Sequence, residues 1–433
     1  MQFFADLHLH SKYSRATSIN SDLEHFALGG RVKGLHIIGT GDFTHPKWFR
    51  EIKEKLAEEG KGLYALKKEL DQSNKMLFML TAEVSTIVST PKGVKKVHHV
   101  LHSPSFDDVQ KLNDVYSKKG NLEADGRPTI GNCSSEEFAE MTLEASPSTV
   151  IVSAHAWTPW FSVFGSNSGY NSVEECYGIY ARKIPALETG MSSDPLMNWR
   201  LSKLDAYALM SNSDSHSPNP ERIGRECNVF EFEPEKISFE AIFDAVRKKD
   251  KSHFLFTVET DPAYGKYHFT GHRLCGVVLS PEEARKARDI CPECRRKLTV
   301  GVEERVEELA DRPPGFKPEN AIPFKHLISL SEIIGDVLGK PITSNAVKNE
   351  FDKLIARFGN EFNILLDVPK EELENVVSER LAEGIIRVRE DKVTVVPGYD
   401  GVYGKIEIFD EGNELETREN KLGRKQKSIG DYL

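Results

Sequence analysis

Histidine and carboxylate side chains recur at the ends of strand-like segments in the first 258 residues. The chain opens with Asp6-Leu7-His8-Leu9-His10-Ser11, in which two histidines alternate along a predicted strand. Alternate strand residues face the same side, roughly 7 Å apart, so both imidazoles can bind one metal ion. Later apolar runs end in Gly41-Asp42-Phe43-Thr44-His45, Ala82-Glu83, His98-His99-Val100-Leu101-His102, Ser153-Ala154-His155 and Ser213-Asp214-Ser215-His216.

The combination of these groups predicts a metal centre. A single such histidine is more often a hydrogen-bonded structural residue, but several strand ends that each offer His, Asp or Glu favour ligands. Imidazole and carboxylate without thiolate suit Zn²⁺, Mn²⁺ or Fe²⁺ and leave positions for water and substrate. Mg²⁺ is a further candidate. We therefore expect a hydrolytic centre rather than a structural one.

The surrounding pattern predicts the elements that position these groups. Short apolar runs at 35–38, 76–80, 97–101, 149–152, 184–187 and 207–210 alternate with amphipathic segments such as 48–70 and 238–248. Strands that alternate with helices favour a parallel α/β sheet, open or closed into a barrel. In such folds the functional groups lie at the carboxyl ends of the strands.

The chain is long enough for two to four domains, with 433 residues. Turn-rich segments predict an α/β domain at 1–258, a small module at 259–312, a mainly helical domain at 313–410 and a charged tail at 411–433. The net charge of -10 argues against a uniformly basic surface but not against a local basic groove. We find no membrane span or signal peptide in the sequence and expect a cytoplasmic, nucleoid-associated protein.

A second metal site is predicted in the small module. His272 and Cys275 form His-x2-Cys, and Cys291 and Cys294 follow as Cys-x2-Cys. This spacing is typical of a closed, four-ligand structural Zn²⁺ site. His268 is the alternative fourth ligand.

Two loops beside the predicted centre carry groups suited to substrate recognition. Trp157, Trp160 and Phe161 follow His155 directly, and they either stack on a base or pack the loop. Asp194 lies in another strand-end loop, where it is either a ligand or a group that reads the base.

The motifs of residues 1–258 resemble the PHP (polymerase and histidinol phosphatase) family of metal-dependent phosphoesterases. This resemblance implies a distorted (β/α)7 barrel with up to three metal ions in a cleft. It implies that one ion is held by His8, His10, Glu83 and Asp214, a second by Glu83, His98 and His155, and a third with His216. His99 competes with His98 as the ligand, and His102 is a third possibility.

Two positions depart from that family's pattern. Arg15 stands where relatives often carry an acidic or histidine ligand, and Asp42-Phe43 stands where they carry Asp-His. Asp42 or His45 would then complete the third site. We expect Arg15 to replace a metal as a positive clamp on phosphate, since a guanidinium matches two phosphate oxygens.

The PHP motifs, the cysteine pair and segments 312–316 and 397–401 together resemble the endonuclease Q family over nearly the whole chain. That resemblance implies a DNA-repair endonuclease that cuts 5′ to deaminated bases (uracil, hypoxanthine, xanthine) and to abasic sites. A deaminated base pairs weakly, so flipping it into a pocket beside the metals costs less than flipping an intact base.

The charged tail carries a possible partner motif. Gln426, Ile429, Tyr432 and Leu433 resemble the peptide with which archaeal and eukaryotic repair proteins bind the sliding clamp PCNA. Two other functions compete with the repair nuclease: a PHP phosphatase acting on small phosphate monoesters, and a non-catalytic adaptor for DNA and the clamp. Catalysis separates all three: the nuclease cuts DNA, the phosphatase releases phosphate from a small monoester, and the adaptor does neither.

Overall fold

The protein is described by a computed structural model, and the structure describes residues 1–73 and 76–409. The strands are β1 Gln2–Asp6, β2 Ile37–Gly39, β3 Leu56–Gly60, β4 Leu63–Leu66, β5 Leu77–Thr90, β6 Gly93–Ser103, β7 Thr129–Gly131, β8 Val150–Ser153, β9 Ala186–Glu188, β10 Ala208–Met210, β11 Cys227–Glu231, β12 Phe254–Glu259, β13 Thr270–His272, β14 Val277–Leu279, β15 Phe324–His326, β16 Thr394–Val396 and β17 Lys405–Glu407.

The α-helices connect and cover these strands. They are α1 Leu23–Lys33, α2 Pro46–Lys55, α3 Phe106–Tyr116, α4 Ser135–Ala145, α5 Val173–Tyr177, α6 Pro195–Asn198, α7 Phe239–Lys248, α8 Pro281–Ala287, α9 Val302–Leu309, α10 Leu330–Leu338, α11 Asn345–Phe358, α12 Glu361–Leu366, α13 Lys370–Glu374 and α14 Glu379–Arg389. Short 3-10 helices lie at Gly178–Lys183, Ser202–Ala206, Pro262–Tyr264 and Arg273–Cys275.

Seven strands form a distorted barrel, as the PHP resemblance implies. Their order is β10-β9-β8-β6-β5-β2-β1. The sheet curls until the segment after β10 meets the end of β1, through a parallel bridge between Leu9 and Ser215 and a hydrogen bond from the amide N–H of His10 to the Ser215 carbonyl. Hydrogen bonds from two asparagine side chains stabilise this junction of β10 with β1. The side chain of Asn212 accepts from the Leu7 amide, and that of Asn228 bonds to the backbone of Ser211.

The barrel is mixed rather than wholly parallel. β6 runs antiparallel to β5 and to β8, whereas the other neighbouring pairs of the seven strands are parallel. The reason is the tight turn at Pro91 and Lys92, because a short hairpin can only join antiparallel strands. β11 and β12 extend the sheet antiparallel beyond β1, and β15 from the C-terminal region adds a parallel strand at the edge.

Alternate strand residues pack on opposite faces of the sheet. The outer face packs against the helices in one apolar cluster that includes Phe4, Ile38, Phe78, Leu101 and Ile151. The inner face forms a second cluster that includes Ala5, Ile37, Met79, Val100 and Val152, and Phe243 and Val246 of α7 join it. The inner core therefore fills the barrel interior next to the ligand residues and supports them.

The prediction of one amphipathic segment over 48–70 is wrong in its second half. Helix α2 ends at Lys55, and β3 and β4 follow as a hairpin. The residues of its turn have positive φ angles, at Gly60 (104°), Lys61 (60°) and Gly62 (78°). A right-handed helix cannot continue through such residues, and glycine adopts them at little cost.

The C-terminal helices contact the barrel through a buried ion pair. Lys33 of α1 lies 2.7 Å from a carboxylate oxygen of Glu361 of α12, and both side chains are almost wholly buried. The same oxygen accepts the amide N–H of Leu330 at the start of α10. None of the helices in the described residues is long and apolar enough to cross a membrane.

Candidate metal centre

Side chains from five strands converge at one end of the barrel. They follow or lie within β1 (His8, His10), β5 (Glu83), β6 (His98), β8 (His155) and β10 (Asp214, His216). In the described residues they form three groups of potential ligands, which are His8-His10-Glu83, His10-Asp214-His216 and Glu83-His98-His155. The ligand atoms of each group lie within 4.8 Å of one another. Since His10 and Glu83 are each shared by two groups, the three groups form one centre.

Glu83 lies at the middle of this centre. One of its oxygens is 2.7 Å from Nδ1 of His98 and 3.1 Å from Nε2 of His155, and the other is 3.4 Å from Nε2 of His10. Oδ1 of Asp214 lies 3.1 Å from the same His10 nitrogen. A carboxylate with oxygens facing two ligand groups can bridge two cations.

The backbone is strained where the ligands leave their strands. His155 and Asp214 have positive φ angles of 25° and 47°, as does Asp42 (45°). Such conformations are uncommon for residues with a Cβ and persist at functional sites, where the surroundings impose them. Gly190 permits the close approach, because a Cβ there would lie 2.7 Å from that of His155.

Several ligand atoms of the centre lack a hydrogen-bond partner among the described residues. They are Nε2 of His8, Nε2 of His10, Oδ1 of Asp214 and Nδ1 of His216, all of them buried. A buried polar atom without a partner is costly, so such atoms are expected to meet a ligand. The donor set of nitrogens and carboxylate oxygens fits divalent cations.

The electrostatics of the centre favour bound positive charge. Burial would raise the pKa of Glu83, but the charges of His98 and Arg127 and the adjacent imidazoles of His10 and His155 outweigh it and hold the pKa well below its usual range. Burial would lower the pKa of His8, but Glu188, Asp214 and Glu83 raise it to about 9. The carboxylates thus stay ionised and draw a cation, whether a proton or a metal ion.

Groups around the centre orient the histidine ligands through their second nitrogens. Nδ1 of His8 lies 2.9 Å from Glu188, and Nδ1 of His10 lies 2.9 Å from Asp42. Nδ1 of His155 lies 2.9 Å from the Thr158 hydroxyl. Each contact leaves Nε2 facing the centre, an arrangement that fixes ring orientation at metal sites.

Asp42 therefore belongs to the support of the centre. Its other oxygen accepts the amide N–H and hydroxyl of Ser11, and it is not a member of any ligand group found among the described residues. His45 stacks on Tyr13 instead of joining the centre.

Of the three neighbouring histidines, the structure places His98 at the centre. His99 contacts the hydroxyls of Thr86 and Tyr177, outside the ligand groups. His102 lies on the inner face against Phe243, with a pKa lowered to about 3 by burial.

Two predicted catalytic residues have other surroundings. Asp194 caps α6 by accepting the amide N–H of Met197 and lies 3.2 Å from Nε2 of His326, contacts that suit a structural cap. Arg15 is exposed, and its amide N–H donates to Asp125. The guanidinium that reaches the centre is Arg127, whose Nη1 lies 3.0 Å from Glu83.

Sequence reasoning missed Glu188 and Arg127. Glu188 ends β9 and accepts from His8, the Asn212 side chain and the His155 amide. Its position at a strand end was a usable signal, since every other ligand strand ends in a polar group. Arg127 lies in a loop before β7, where no pattern in the sequence marks it.

A cavity of about 320 Å³ opens directly onto the centre. Its walls include His98, His155 and Asp214 on one side, and Trp160, Phe161, Tyr267 and Tyr403 elsewhere. The volume is at the lower end of ligand cavities, which hold roughly 300–1,000 Å³. The downstream module and the β16–β17 hairpin thus complete a cavity that begins in the barrel.

The aromatic residues after His155 divide into two roles. Trp157 is buried, donates its ring N–H to Asn198 and packs on Phe164, so it stabilises the loop. Trp160 is 43% exposed and contacts Tyr267 edge to face. Of the two tryptophans, it is Trp160 that can stack on a ligand in the cavity.

The second predicted metal site is assembled in the small module. His272, Cys275, Cys291 and Cys294 offer ligand atoms within 4.8 Å of one another, between the β13–β14 hairpin and the loop after α8. Such a set of three sulfurs and one imidazole fits a closed zinc site. His268, the alternative ligand, is partly buried, stacks on Phe269 and lies outside the group.

Comparison with known proteins gives matches over part and over nearly all of the chain. Residues 329–392 match the family described as the MJ0043 C-terminal domain. The protein MJ0043 of Methanocaldococcus jannaschii is 33% identical over 292 residues, which are 66% of this chain and 36% of that protein. The chain thus spans about a third of the length of MJ0043. YqxK of Bacillus subtilis is 26% identical over 94% of this chain and 99% of its own.

Two solved structures are similar over nearly the whole length. One is the lesion-specific endonuclease PfuEndoQ from Pyrococcus furiosus, at 35% identity and a TM-score of 0.83, covering 95% of this chain and 96% of that chain. The other is endonuclease Q in complex with a 27-mer duplex that carries an abasic lesion at the active site. It has the same identity and TM-score and covers 95% and 98%.

Proposed function

This chain belongs to the endonuclease Q family, and from that premise we propose that it is a lesion-specific, metal-dependent DNA endonuclease. It hydrolyses the phosphodiester bond 5′ to deaminated bases (uracil, hypoxanthine and xanthine) and to abasic sites. The observation that carries the proposal is the aromatic cavity that opens onto three overlapping groups of metal ligands. A nuclease that acts on a flipped nucleotide needs a base pocket and a hydrolytic centre side by side.

The ligand residues have separate tasks in this proposal. His8, His10, Glu83 and Asp214 hold one divalent cation, Glu83, His98 and His155 hold a second, and His216 serves a third. Zn²⁺, Mn²⁺ and Mg²⁺ are the candidates. When bound, these ions activate water and neutralise the charge on the phosphate oxygens.

Other side chains orient these ligands and the substrate. Glu188 and Asp42 hold the rings of His8 and His10 so that Nε2 faces the centre. Arg127 keeps Glu83 ionised and offers a positive group beside the phosphate. Arg15 follows Ser14, whose hydroxyl contacts His10. In this proposal the guanidinium of Arg15 binds a phosphate of the DNA strand.

In this proposal the cavity binds the flipped base. Trp160 and Tyr403 are 43% and 54% exposed, so both offer ring faces to a flipped base. Stacking on aromatic side chains contributes about 1–3 kcal/mol per base. Phe161 contacts the ring of His98 and thereby joins the base pocket to the ligands.

Two further parts of the chain complete the proposal. The group of His272, Cys275, Cys291 and Cys294 binds one structural Zn²⁺, which supplies folding free energy to a module too small to bury much core. Gln426, Ile429, Tyr432 and Leu433 form a peptide for the sliding clamp PCNA; they lie outside the described residues. Work on chromosomal DNA would place the protein at the nucleoid.

A nicking assay tests the proposed function. The substrate is a labelled duplex with one uracil, hypoxanthine, xanthine or abasic site, incubated with Mn²⁺, Zn²⁺ or Mg²⁺. We expect a single cut immediately 5′ of the lesion and no cut in a matched undamaged duplex. Phosphate release from small monoesters without lesion-dependent cutting would favour a PHP phosphatase instead.

A further inference from the structure

The β5–β6 hairpin projects beyond the metal centre as a two-stranded ribbon. Ser85 pairs with His98 at the level of the centre, and the pairing continues to Thr90 and Gly93. Five further residues of strand extend roughly 17 Å at about 3.3 Å each. β7 pairs with β5 only as far as Ile87, so the outer part of the ribbon has exposed residues on both strands.

The face of the ribbon that carries the metal ligands continues outward. Side chains alternate along a strand, so Val94 and Lys96 lie on the same face of β6 as His98. Nζ of Lys96 lies 5.2 Å from the centre of the Phe161 ring, and that ring lies 4.6 Å from the ring of His98. The amine of Lys96 therefore lies beside Phe161, a residue that lines the base cavity.

This ribbon is basic in a chain that is acidic overall. Residues 84–106 contain no Asp or Glu, although these make up 67 of the 433 residues. The stretch carries Lys92 at the turn, Lys95 and Lys96. Within the residues that the structure describes, neither Lys92 nor Lys96 has an ion-pair partner.

Lys95 has a separate, structural role on the opposite face. Its amine donates to the Gly169 carbonyl and lies 5.0 Å from the centre of the Tyr170 ring. These contacts hold the loop of Trp160 and Phe161 against the hairpin. Lys92 is exposed and Lys96 is partly exposed, so both amines remain available to a partner.

We propose that the β5–β6 ribbon binds the phosphate backbone of the duplex that flanks the cut, through Lys92 and Lys96. This inference rests on the proposed function, since it names the surface that binds the part of the same DNA substrate next to the cut. A two-stranded β-ribbon can lie along a groove of duplex DNA. Contacts to phosphate carry no information about the base pairs, so this contact is independent of base sequence.

The test measures how salt affects DNA binding by the full-length protein. In K92A/K96A two phosphate contacts are lost, so the slope of log Kd against log salt falls by about 2. Binding of a lesion duplex at moderate salt weakens at least about tenfold, and a higher enzyme concentration recovers cleavage. K92Q/K96Q keeps most of each side chain but removes the charge. The same loss of affinity and of salt slope in this variant would show that the charge causes the effect.

A matched control is K183A/K203A. Both lysines are exposed and precede the amino ends of β9 and β10, at the end of the barrel opposite the metal centre. The control should retain the wild-type slope and affinity. A wild-type slope in K92A/K96A would overturn the proposal, as would a cleavage defect that persists at saturating enzyme. Wild-type protein that neither binds nor cuts lesion DNA would instead refute the proposed function.

Discussion

At the scale of single residues, the centre depends on side chains that hold the ligands in place. Glu188 contacts Nδ1 of His8 and also accepts from Asn212 and the His155 amide. It therefore fixes two ligands from two strands at once. Such outer partners typically change metal affinity or activity by about 10–100-fold when they are substituted.

The variant Glu188→Gln tests this role. An amide has the shape of the carboxylate but lacks its charge. The NH2 group of the amide would also face one of the N–H groups that now donate to Glu188. We expect Mn²⁺ affinity at the active centre to fall about 10–100-fold in calorimetric titration, with nicking partly recovered by excess metal. Glu235→Gln, an exposed change, serves as the control. Unchanged affinity in E188Q would show that Glu188 does not support His8.

The residue types of the ligands could be predicted from the sequence because each follows an apolar run. His8, His10, Glu83, His155, Asp214 and His216 are brought together as the strand pattern predicts. The choice of His98 over His99 could not be settled by pattern, because it depends on which strand face turns inward. Arg127, Tyr267 and Tyr403 reach the site from loops and modules that only the tertiary fold brings near.

At the scale of elements, β11 and β12 place two carboxylic acids side by side in the core. Glu226 and Glu259 are both fully buried. Burial raises the pKa of both groups; the charge of Glu259 raises the pKa of Glu226 further, and Asp194 adds to the rise at Glu259. Glu259 accepts hydrogen bonds from Thr257 and Thr189, so it links the strands to the loop after β9.

This pair predicts a pH dependence of stability. Glu ionises near pH 4.3 in the unfolded chain but only at higher pH in the fold, so unfolding releases protons between these values. The free energy of unfolding therefore falls as pH rises from about 5 to about 8. Glu259→Gln should reduce that fall, measured by urea unfolding at both values, whereas exposed Glu231→Gln should not. An equal fall in E259Q and wild type would refute the argument.

The strands and helices could be predicted where the hydrophobic residues followed one clear pattern, either an apolar run or a helical repeat. The runs at 97–101, 149–152 and 207–210 became β6, β8 and β10, and 238–248 became α7. The pattern did not predict the hairpin β3–β4, because its charged residues also fit an amphipathic helix, and only Gly60 and Gly62 mark the turn. The reversal of β6 follows from a two-residue turn that the alternation of strands and helices does not reveal.

At the scale of the whole molecule, the barrel and the C-terminal helices meet through Lys33 and Glu361. The pair is buried at 2.7 Å. Breaking a buried pair on one side leaves an uncompensated charge and costs about 3–5 kcal/mol. The contact also anchors the amide of Leu330, where α10 begins.

Lys33→Met should therefore destabilise the protein by about 3–5 kcal/mol, and K33M/E361Q should recover part of this loss by removing the orphaned charge. Chemical unfolding measures both. Lys55→Met breaks a partly exposed pair with Glu24 and should cost no more than about 1 kcal/mol. If K33M costs no more than K55M, the ion pair does not stabilise the contact between the barrel and the C-terminal helices.

The central claim is that the histidine–carboxylate centre cuts DNA beside a lesion. The most direct measurement compares the single-turnover nicking rate of wild type and Asp214→Asn on a duplex with one abasic site, with and without added Mn²⁺. Wild type depleted of metal should regain cutting when Mn²⁺ is restored. D214N should bind the duplex but cut more than about 100-fold more slowly, since loss of a ligand should exceed the effect of losing a ligand's outer partner. Cutting by D214N at the wild-type rate would contradict the account.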